Sequence, residues 1–501
     1  MNVRNVPPHA STMFESLRGL GYSPATALAD LIDNSIAAQA SEVDVRFEWQ
    51  GPKSSIRIVD NGVGMDDATL EAGMRLGASD PRANRAASDL GRFGLGLKTA
   101  SFSQARRLTV ASRRKGGAIV CLRWDLNLLD QPGSQAPWPL FEGPAPGSEA
   151  LLSPLETMEQ GTIVLWEDLD RVVTEGFTST DMIEMIDAVE AHLAMTFHRL
   201  LEGEGEPFRL RLNDRAVRPW NPFLIGHPAK AWESAEFRIL HSPGTLVQCH
   251  VLPHRDMLKP AEQEAAGGPG GWTQQQGFYV YRNKRLLMAG GWLGIGDNGK
   301  TWVRDEPHRL ARIRLDIPNS VDADWKINVL KSTASPPVRL RAQLRRLALE
   351  TRETARNVFA HRGHISSASG GRSDGVKDAW QVRRSANGTS YRIARDNDLI
   401  ASVLDRAGPL KSDIVAMLRL IEETVPVQRI WLDTAEDKET PRTGFAEAPT
   451  EEIRETLVAM FEALVRYSGL TEEEAKHRLR RSAGLERFPE LISSLSLTDI
   501  A

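Results

Sequence analysis

Alternating apolar and polar residues predict most of the strands of this chain, and two longer apolar patterns predict helices beside them. Residues 25–40 carry apolar side chains at helical spacing directly after Ser23-Pro24, which is typical of a helix start because serine caps the first turn and proline fits it. A second helical pattern covers residues 181–201. Helices that cover one face of a mixed sheet make an α+β layer. The predicted strands are residues 43–49, 54–60, 107–113, 118–126 and 161–169.

Polar and glycine-rich stretches divide the chain into three predicted domains. The breaks fall near residue 203 and at 363–376, which gives domains of residues 1–203, 204–362 and 376–501. In the middle domain, alternation predicts strands at 208–217, 244–252, 276–288 and 311–317, tight turns at Asn213-Asp214 and Asn283-Lys284, and a helix from about Pro336-Pro337. In the last domain, a hairpin about Asn387-Gly388 precedes helices near 396–406, 411–424, 449–468 and 471–482. This mainly helical domain carries no chemical motif, and its role stays open.

Composition narrows the classes of function. The chain has 501 residues, of which 41% are hydrophobic and 26% are charged, an ordinary globular composition that can fill several cores. A net charge of −4 argues against a protein that coats nucleic acid over its whole surface, and it leaves room for a local basic face. Cys121 and Cys249 are too few for a disulfide framework or a cysteine zinc site. Because no apolar run has the length of a signal peptide or membrane helix, we expect a cytoplasmic protein that does not enter a membrane.

Asp30 and Asn34 form the first candidate site, because residues four apart on a helix share one face. A carboxylate can orient or deprotonate water, and an amide oxygen is a hard ligand for Mg²⁺. Asp33 is a second acid on the same helix. The alternative is an ordinary polar helix face, which these residues alone do not exclude.

Asp60 begins the second candidate site, at the end of the predicted strand SSIRIVD. Gly62, Gly64 and Met65 follow in a turn where glycines let the backbone approach a flat ligand closely. A carboxylate at this point can accept a hydrogen bond from the exocyclic amine of adenine. Asp-Asn-Gly is also a common surface turn, so the motif alone leaves both interpretations open.

A glycine-rich segment supplies the third candidate site and leads into the predicted helix LKTASF. Successive backbone N–H groups can bind phosphates, and a lysine adds a cation. The spacing fits neither a Walker P-loop nor a dinucleotide fingerprint, and a flexible surface loop is the alternative. The residues of this site are Gly91, Arg92, Phe93, Gly94, Leu95, Gly96, Leu97 and Lys98.

The order of these motifs, followed by Gly161-Thr162 at the start of a strand, resembles the Bergerat ATP-binding fold. This fold defines the superfamily of gyrase B, MutL, the ninety-kilodalton chaperones and histidine kinases (GHKL). The resemblance covers about the first 200 residues and implies ATP and Mg²⁺ as cofactors.

The resemblance also implies a role for each motif. Asp60 would contact adenine, with Thr162 supporting the adenine side, and Asn34 would hold Mg²⁺. Residues 66–98 would form a lid over the triphosphate, in which Lys98 and the neighbouring amides bind phosphates. Asp30 would be the catalytic base. Because the family ATPases usually carry the longer Glu at this position, we expect slow turnover.

The middle segment resembles the transducer domain (ribosomal S5-type) of MutL, gyrase B and microrchidia (MORC) ATPases. In that domain a lysine on a loop reaches the γ-phosphate, which implies Lys331, with Lys326 as the second choice, at the catalytic site. The runs GFYVYRNKRLLM, LADLIDNSIAA and DLGRFGLGLKTAS are most similar to bacterial MORC-like ATPases. The family behaviour implies an ATP-dependent homodimer that clamps DNA, in a phage-defence or restriction-type setting with protein partners encoded nearby.

DNA contacts are predicted on two basic stretches. One is Arg113-Arg114-Lys115, and the other is the helix from Arg339 to Arg362, which carries seven arginines against two glutamates. A solvated helix face is the alternative for that helix. Two further hypotheses stay open for the whole protein: a chaperone-like or scaffold ATPase that acts on protein partners, and a regulatory subunit that senses nucleotide without turnover.

Overall fold

Two sheets and the helices packed on them form the first part of the protein, as described by a computed structural model. The structure describes residues 9–77, 96–129, 138–240, 242–297, 299–321, 324–327, 333–360, 376–385, 388–430, 450–482, 485 and 488–497. Contacts divide the chain into two compact units, Met1–Arg356 and Asn357–Ala501. The first unit carries all the motifs discussed above. Its mixture of sheets and helices confirms the predicted α+β class.

The first sheet is mixed and holds the motif-bearing strands. Its strands are β1 (Glu42–Glu48), β2 (Ser55–Asp60), β3 (Arg107–Arg113), β4 (Ile119–Asp125), β5 (Phe141–Glu142), β6 (Gly161–Glu167), β7 (Arg209–Leu212) and β8 (Arg215–Ala216). Within the described residues their order is β5-β4-β3-β6-β2-β1-β7-β8. Neighbours are antiparallel except β1 and β7, which are parallel. The five strands predicted from alternation before residue 170 are therefore confirmed.

Helices pack on this sheet and share its core. They are α1 (Ala10–Arg18), α2 (Pro24–Ala37), α3 (Asp67–Met74), α4 (Gly96–Phe102), α5 (Pro154–Thr157), α6 (Ser179–Thr196) and α7 (His198–Leu201). Leu28 and Ile32 of α2 lie in one cluster with Val45 of β1 and Ile58 of β2. The alternating burial along β1 follows its alternating sequence, because one face of the strand meets these helices.

Strand β7 shows where the sequence pattern was incomplete. Residues 208–217 follow the predicted break near residue 203, yet β7 extends the first sheet by pairing in parallel with β1. Leu210 and Leu212 are buried in the core of that sheet. Alternation predicts that one face of a strand is buried, but it does not identify the edge with which the strand pairs.

The second sheet is smaller. Its strands are β9 (Trp232–Glu233), β10 (Phe237–Arg238), β11 (Leu246–Val251), β12 (Gly277–Arg282), β13 (Arg285–Ala289) and β16 (Ala311–Asp316). The same part of the chain contains the helices α8 (Pro260–Gly267) and α9 (Val338–Ala360) and a separate strand pair, β14 (Gly296–Asp297) and β15 (Lys300–Thr301). The order is β10-β11-β16-β12-β13, with β9 beside β11, and β12 and β16 run parallel. Asn283 and Lys284 both have positive φ, as do Asn213 and Asp214. The two predicted tight turns therefore have the backbone that two-residue hairpins favour.

Helices α6 and α7 join the two sheets. His198 of α7 is hydrogen-bonded through Nε2 to the hydroxyl of Tyr281 on β12 at 2.8 Å. Arg199 forms an ion pair with Asp316 of β16, and its guanidinium lies 5.0 Å from the ring centroid of Tyr281. These contacts fix the second sheet against the helices of the first.

The second unit has its own core. Its hairpin consists of β17 (Trp380–Ser385) and β18 (Gly388–Ile393), as predicted about Asn387-Gly388, although Asn387 itself lies outside the described residues. Ile453, Leu457 and Phe461 contribute to a buried cluster. The helices of this unit are Asp398–Arg406, Lys411–Glu423, Thr450–Glu462, Glu472–Arg480 and Pro489–Ser494. In the part of the chain that the structure describes, no helix has the length and apolarity needed to cross a membrane.

Candidate nucleotide site

Helix α2 carries the acids of the site on its buried side. The Ser23 side chain accepts a hydrogen bond from the Thr26 backbone N–H in a capping box, and Pro24 occupies the first turn, so the helix starts where the sequence predicts. Asp30, Asp33 and Ser35 are buried, whereas Asn34 is exposed. A buried carboxylate is stable only with donors or cations around it. The contacts of these residues therefore define what the helix can bind.

Asp30 lies between the first sheet's helices and the second sheet. Its Oδ2 accepts a 2.8 Å hydrogen bond from the Tyr22 hydroxyl, and its Oδ1 lies 3.8 Å from Nη2 of Arg285. A Cβ placed on Gly96 would lie 3.8 Å from Oδ2, so the end of the glycine-rich segment approaches this acid. Burial and the neighbouring Asp30 raise the pKa of Tyr22, which keeps its hydroxyl a donor. The structure thus brings Asp30 and Gly96 together.

Asp33 forms a buried ion pair with the second sheet. The Nε of Arg285, on β13, lies 3.2 Å and 3.1 Å from the two carboxylate oxygens, and both side chains are buried. Arg285 also donates to the Leu286 carbonyl at 2.7 Å. Removing one partner of such a pair leaves an uncompensated charge and typically costs about 3–5 kcal/mol. Asp33 therefore anchors the second sheet to helix α2.

Asp60 ends β2 in a buried network. Its Oδ2 accepts from the Ser35 hydroxyl of α2 at 2.9 Å, and its Oδ1 accepts from the Gly62 backbone N–H at 2.9 Å. Burial raises the pKa of Asp60, while the hydrogen bonds from Gly62, Ser35 and Thr162 act in the opposite direction. Helix α2 is therefore connected to Asp60 through Ser35 and lies close to Gly96 through Asp30.

The strand beside Asp60 extends this network. Thr162 on β6 pairs with Asp60 on one side and with Ser112 on the other. The Ser112 hydroxyl lies 2.9 Å from that of Thr162 and accepts from the Met65 backbone N–H at 2.8 Å. Hydroxyls that can donate or accept make this corner suitable for an aromatic base with both kinds of group.

Gly62 and Gly64 are required by close backbone approach. A Cβ on Gly62 would lie 2.8 Å from the Ala38 carbonyl oxygen, and one on Gly64, whose φ is +64°, would lie 1.9 Å from the Arg113 carbonyl oxygen. A side chain at either position would displace the turn that follows Asp60. The turn therefore has the tight geometry that the sequence predicts.

Lys98 has backbone partners in this structure. Its ammonium donates to the carbonyls of Gly73 at 2.7 Å and Arg75 at 3.0 Å, and burial lowers its pKa to about 8. It thereby connects α4 to the end of α3, inside the segment predicted to be the lid. The predicted helix LKTASF is confirmed as α4, which contains Leu97 and Lys98, whereas Gly91, Arg92, Phe93, Gly94 and Leu95 lie outside the described residues.

Of the two lysines predicted to reach the γ-phosphate, the structure describes Lys326 but not Lys331. Lys326 is exposed and has a φ of +48°, next to the buried Trp325. Lys331 lies outside the described residues. Within the described residues, no group of three or more His, Cys, Asp or Glu side chains has a metal-binding arrangement. Asn34 is accessible for a magnesium ion that takes most of its ligands from phosphates and water.

The three predicted DNA-binding residues 113–115 already have hydrogen-bond or ion-pair partners within the protein. Arg114 pairs with Asp66 at 2.6 Å and Lys115 with Glu159 at 3.1 Å, while Arg113 donates to the Gly117 carbonyl at 3.1 Å.

Some arginines of α9 are buried or paired, and others are exposed to solvent. Arg352 is buried, with its guanidinium 4.6 Å from the ring centroid of Trp292, and Arg339 pairs with Asp324 at 2.5 Å. Arg346 and Arg356 are exposed, and Arg362 lies outside the described residues. Only part of the predicted basic helix can therefore face a ligand.

Four residues of the site were missed by sequence reasoning: Tyr22, Ser35, Ser112 and Arg285. Ser35 carries a signal that could have been used, because a small polar residue stands on the apolar face of a predicted helix. Tyr22 and Ser112 belong to no motif that the sequence offers. Arg285 is separated from Asp33 by 252 positions, so no local pattern connects them.

Comparison with known proteins finds a family model that matches the segment carrying this site. Residues 22–146 match the family described as "Histidine kinase-, DNA gyrase B-, and HSP90-like ATPase". The predicted resemblance to the GHKL superfamily is thereby confirmed.

The similar curated proteins are DNA mismatch repair proteins MutL. That of Allorhizobium ampelinum is 36% identical over 96 residues, which is 19% of this chain and 15% of the relative. That of Rhizobium johnstonii is 33% identical over 96 residues, 19% of this chain and 16% of the relative. That of Beijerinckia indica subsp. indica is 50% identical over 48 residues, 10% of this chain and 7% of the relative. The likeness therefore covers the nucleotide-binding segment alone.

The buried Lys98 predicts how the free energy of unfolding depends on pH. Burial lowers the pKa of Lys98 to about 8 in the folded protein, whereas in the unfolded chain the side chain has the ordinary lysine pKa of 10.5. Between these values the unfolded state binds more protons, so this residue should make the free energy of unfolding rise with pH, by at most about 3 kcal/mol. Below pH 8 the buried Lys98 is charged, so its full destabilising effect on the folded protein is present. Urea unfolding of the protein and of Lys98→Met from pH 7 to 10 measures the difference in slope.

Lys115→Met is the matched control, because Lys115 is an exposed lysine. The control should retain the slope of the unmodified protein, whereas Lys98→Met should lose part of it. Equal slopes for the protein and for Lys98→Met would contradict a depressed pKa for Lys98.

Proposed function

We propose that the protein is a slowly hydrolysing Mg-ATPase that acts as a nucleotide-gated conformational switch, closest in organisation to bacterial MORC-like and MutL-like ATPases. One observation carries this proposal: α2 reaches Asp60 through Ser35 and reaches Gly96 through Asp30. The proposed adenine contact and the start of the proposed phosphate-binding segment would then lie at the same helix. The match of residues 22–146 to an ATPase family supports the same assignment.

In the proposed complex the adenine ring lies against Asp60 and the Gly62–Gly64 turn. The Asp60 carboxylate accepts from the exocyclic amine, and the hydroxyl of Thr162 completes the polar edge. Asn34 contributes an oxygen ligand to Mg²⁺, which neutralises charge on the phosphates when bound. The triphosphate extends toward Gly96, where backbone N–H groups at the start of α4 and the preceding glycine-rich segment bind it.

Hydrolysis needs a base beside the terminal phosphate. The proposed base is Asp30, which takes a proton from water as the water oxygen bonds to the γ-phosphorus and the bond to the ADP oxygen breaks. The Tyr22 hydroxyl holds Oδ2, so the orientation of the carboxylate is fixed. The short aspartate side chain makes its reach to water critical, since an error of about 1 Å can cost on the order of a hundredfold in rate.

The second sheet is the proposed transducer. Arg285 connects it to Asp33 and lies 3.8 Å from Asp30, so a change at the terminal phosphate alters the charge that Arg285 meets. A ligand shifts a two-state equilibrium only through different interactions with the two states. Lys331 or Lys326 would add a contact to the γ-phosphate that ADP does not offer. Closure of the lid formed by residues 66–98 and pairing of two chains would follow ATP binding.

The proposed target is DNA, held by an ATP-dependent homodimer. Exposed Arg346 and Arg356 of α9 are cations available for phosphate contacts, whereas Arg114 and Lys115 already have carboxylate partners. A phage-defence or restriction-type role, with protein partners encoded nearby, accords with this proposal. The competing function is an ATPase that acts on protein partners. The ion pairs of Arg114 and Lys115 favour it, because they leave fewer cations for DNA phosphates.

Asp60→Asn should abolish measurable ATP binding. The network around this side chain supplies only donors, so an amide N–H would face the adenine amine or one of the protein donors. Loss of one hydrogen bond to a charged group costs about 1.5–3 kcal/mol, and an opposed donor costs more. Titration with a fluorescent ATP analogue measures the affinity. Asp187→Asn, on the exposed side of α6, is the control, and wild-type affinity in Asp60→Asn would refute the adenine role.

Asp30→Ala should stop hydrolysis and leave ATP binding within about threefold. The substitution removes the proposed base but none of the adenine contacts, and loss of a general base typically costs about 10²- to 10⁴-fold in rate. Steady-state phosphate release and equilibrium ATP titration separate the two effects. Loss of ATP binding with an intact fold would contradict the assignment of Asp30 as base.

The size of the protein should depend on nucleotide. Light scattering after chromatography should give a monomer with ADP and a dimer with a non-hydrolysable ATP analogue. Dimers with the analogue should bind duplex DNA with an affinity that falls steeply with salt, because phosphate contacts release counterions. Arg346→Gln with Arg356→Gln should reduce that slope by roughly two. A dimer without salt-dependent DNA binding would favour the protein-directed function, and a monomer in every state would refute the switch.

A further inference from the structure

A cleft of about 610 Å³ lies where α2 and α6 meet β13 and the start of α9. Its lining includes Arg285, Arg304, Arg341 and His192. Among the described residues that line it, none is an aspartate or glutamate. Cations on several sides without an acid among them make this cleft favourable for an anion.

The two outer arginines carry most of the available charge. Arg304 is exposed, and its guanidinium donates a hydrogen bond to the side-chain oxygen of Gln274 at 3.4 Å. Arg341 is exposed and donates to the Pro336 carbonyl at 3.3 Å. Neither contact neutralises a guanidinium, because both acceptors are uncharged. An oxyanion in the cleft could therefore form charge-assisted hydrogen bonds with both side chains.

The backbone makes room for Arg304. Gly290 and Gly291 have φ values of +66° and +81°, and a Cβ on either would lie 3.5 Å or 3.3 Å from Nη2 of Arg304. A side chain would be strained at either φ, and a Cβ on Gly290 would also lie 2.9 Å from the Gln274 carbonyl oxygen. His192, on α6, is neutral at pH 7, since burial and Arg285 lower its pKa to about 4. A neutral imidazole can supply one further hydrogen bond.

Arg285 connects the cleft to the candidate nucleotide site. Arg285 lines the cleft, is bonded to Asp33 and lies 3.8 Å from Asp30. A phosphate ion freed beside Asp30 would face two carboxylates and the phosphates of ADP, and like charges repel strongly in a buried site. The cationic cleft is the adjacent place where that ion would be stabilised.

We propose that this cleft is an oxyanion site, and that its ligand is the inorganic phosphate released from ATP. The phosphate interacts with Arg304 and Arg341, with Arg285 between it and the catalytic acid. The assignment of the ligand rests on the proposed ATPase activity, whereas binding of a phosphate ion in the cleft is testable without turnover.

The test is calorimetric titration of the full chain with inorganic phosphate at constant ionic strength, in the presence of saturating non-hydrolysable ATP analogue. We expect one phosphate per chain, with affinity at least about tenfold weaker in Arg304→Gln/Arg341→Gln. Arg238→Gln, an exposed arginine of β10 that does not line the cleft, is the control and should match the unmodified protein. The affinity for the ATP analogue should be unchanged in both variants.

The other outcomes separate failure of the oxyanion site from failure of the proposed ATPase function. Phosphate binding that disappears with the ATP analogue would belong to the γ-phosphate position, and equal binding by the double variant would place the ion elsewhere. Binding of a short DNA duplex but not of phosphate, lost in the double variant, would identify a nucleic-acid contact instead. Failure of the protein to bind the ATP analogue, with phosphate binding intact, would refute the proposed function and leave the oxyanion site.

Discussion

The burial of two carboxylates on helix α2 is the constraint on which the rest of the structure depends. Asp30 and Asp33 lie on the side of the helix that packs into the protein, where an unpartnered charge would be unfavourable by several kcal/mol. Tyr22 comes from the turn before the helix, and Arg285 comes from the second sheet. The second sheet therefore supplies a cation to the buried acids of the candidate nucleotide site. A helix that needs a cation from another layer couples the two layers.

That coupling gives physical content to the proposed switch. If the phosphates of the nucleotide compete with Asp30 and Asp33 for Arg285, nucleotide binding changes the interactions of both sheets at once. His198 with Tyr281 and Arg199 with Asp316 form a second connection near the end of α6 and α7. Motion of the second sheet would have to preserve or exchange these contacts. A rotation about α7, with the change concentrated at Arg285, needs fewer contacts to break than a separation of the sheets.

Local patterns predicted a large part of this fold and a smaller part of the site. The start of α2 follows from Ser23 and Pro24, and the turn at Asn283-Lys284 follows from residue types that tolerate positive φ, because both are decided within a few residues. The pairing of β7 with β1 and the contact of Arg285 with Asp33 depend on residues far apart in sequence. The motif order located Asp30, Asp60 and Gly62, but hydroxyls such as Ser112 belong to no spacing rule.

Lys98 illustrates the difference between a residue's position and its state. The sequence places a cation directly after the glycine-rich segment, which is where a phosphate-binding fold needs one. In the structure the ammonium is bonded to the carbonyls of Gly73 and Arg75, and its pKa is lowered by burial. A buried lysine interacts more strongly with a nearby polyphosphate than a solvated lysine does, because water screens the attraction less. Exchange of the two carbonyls for phosphate oxygens would release the end of α3, which belongs to the proposed lid, so the proposed nucleotide binding would be coupled to that segment.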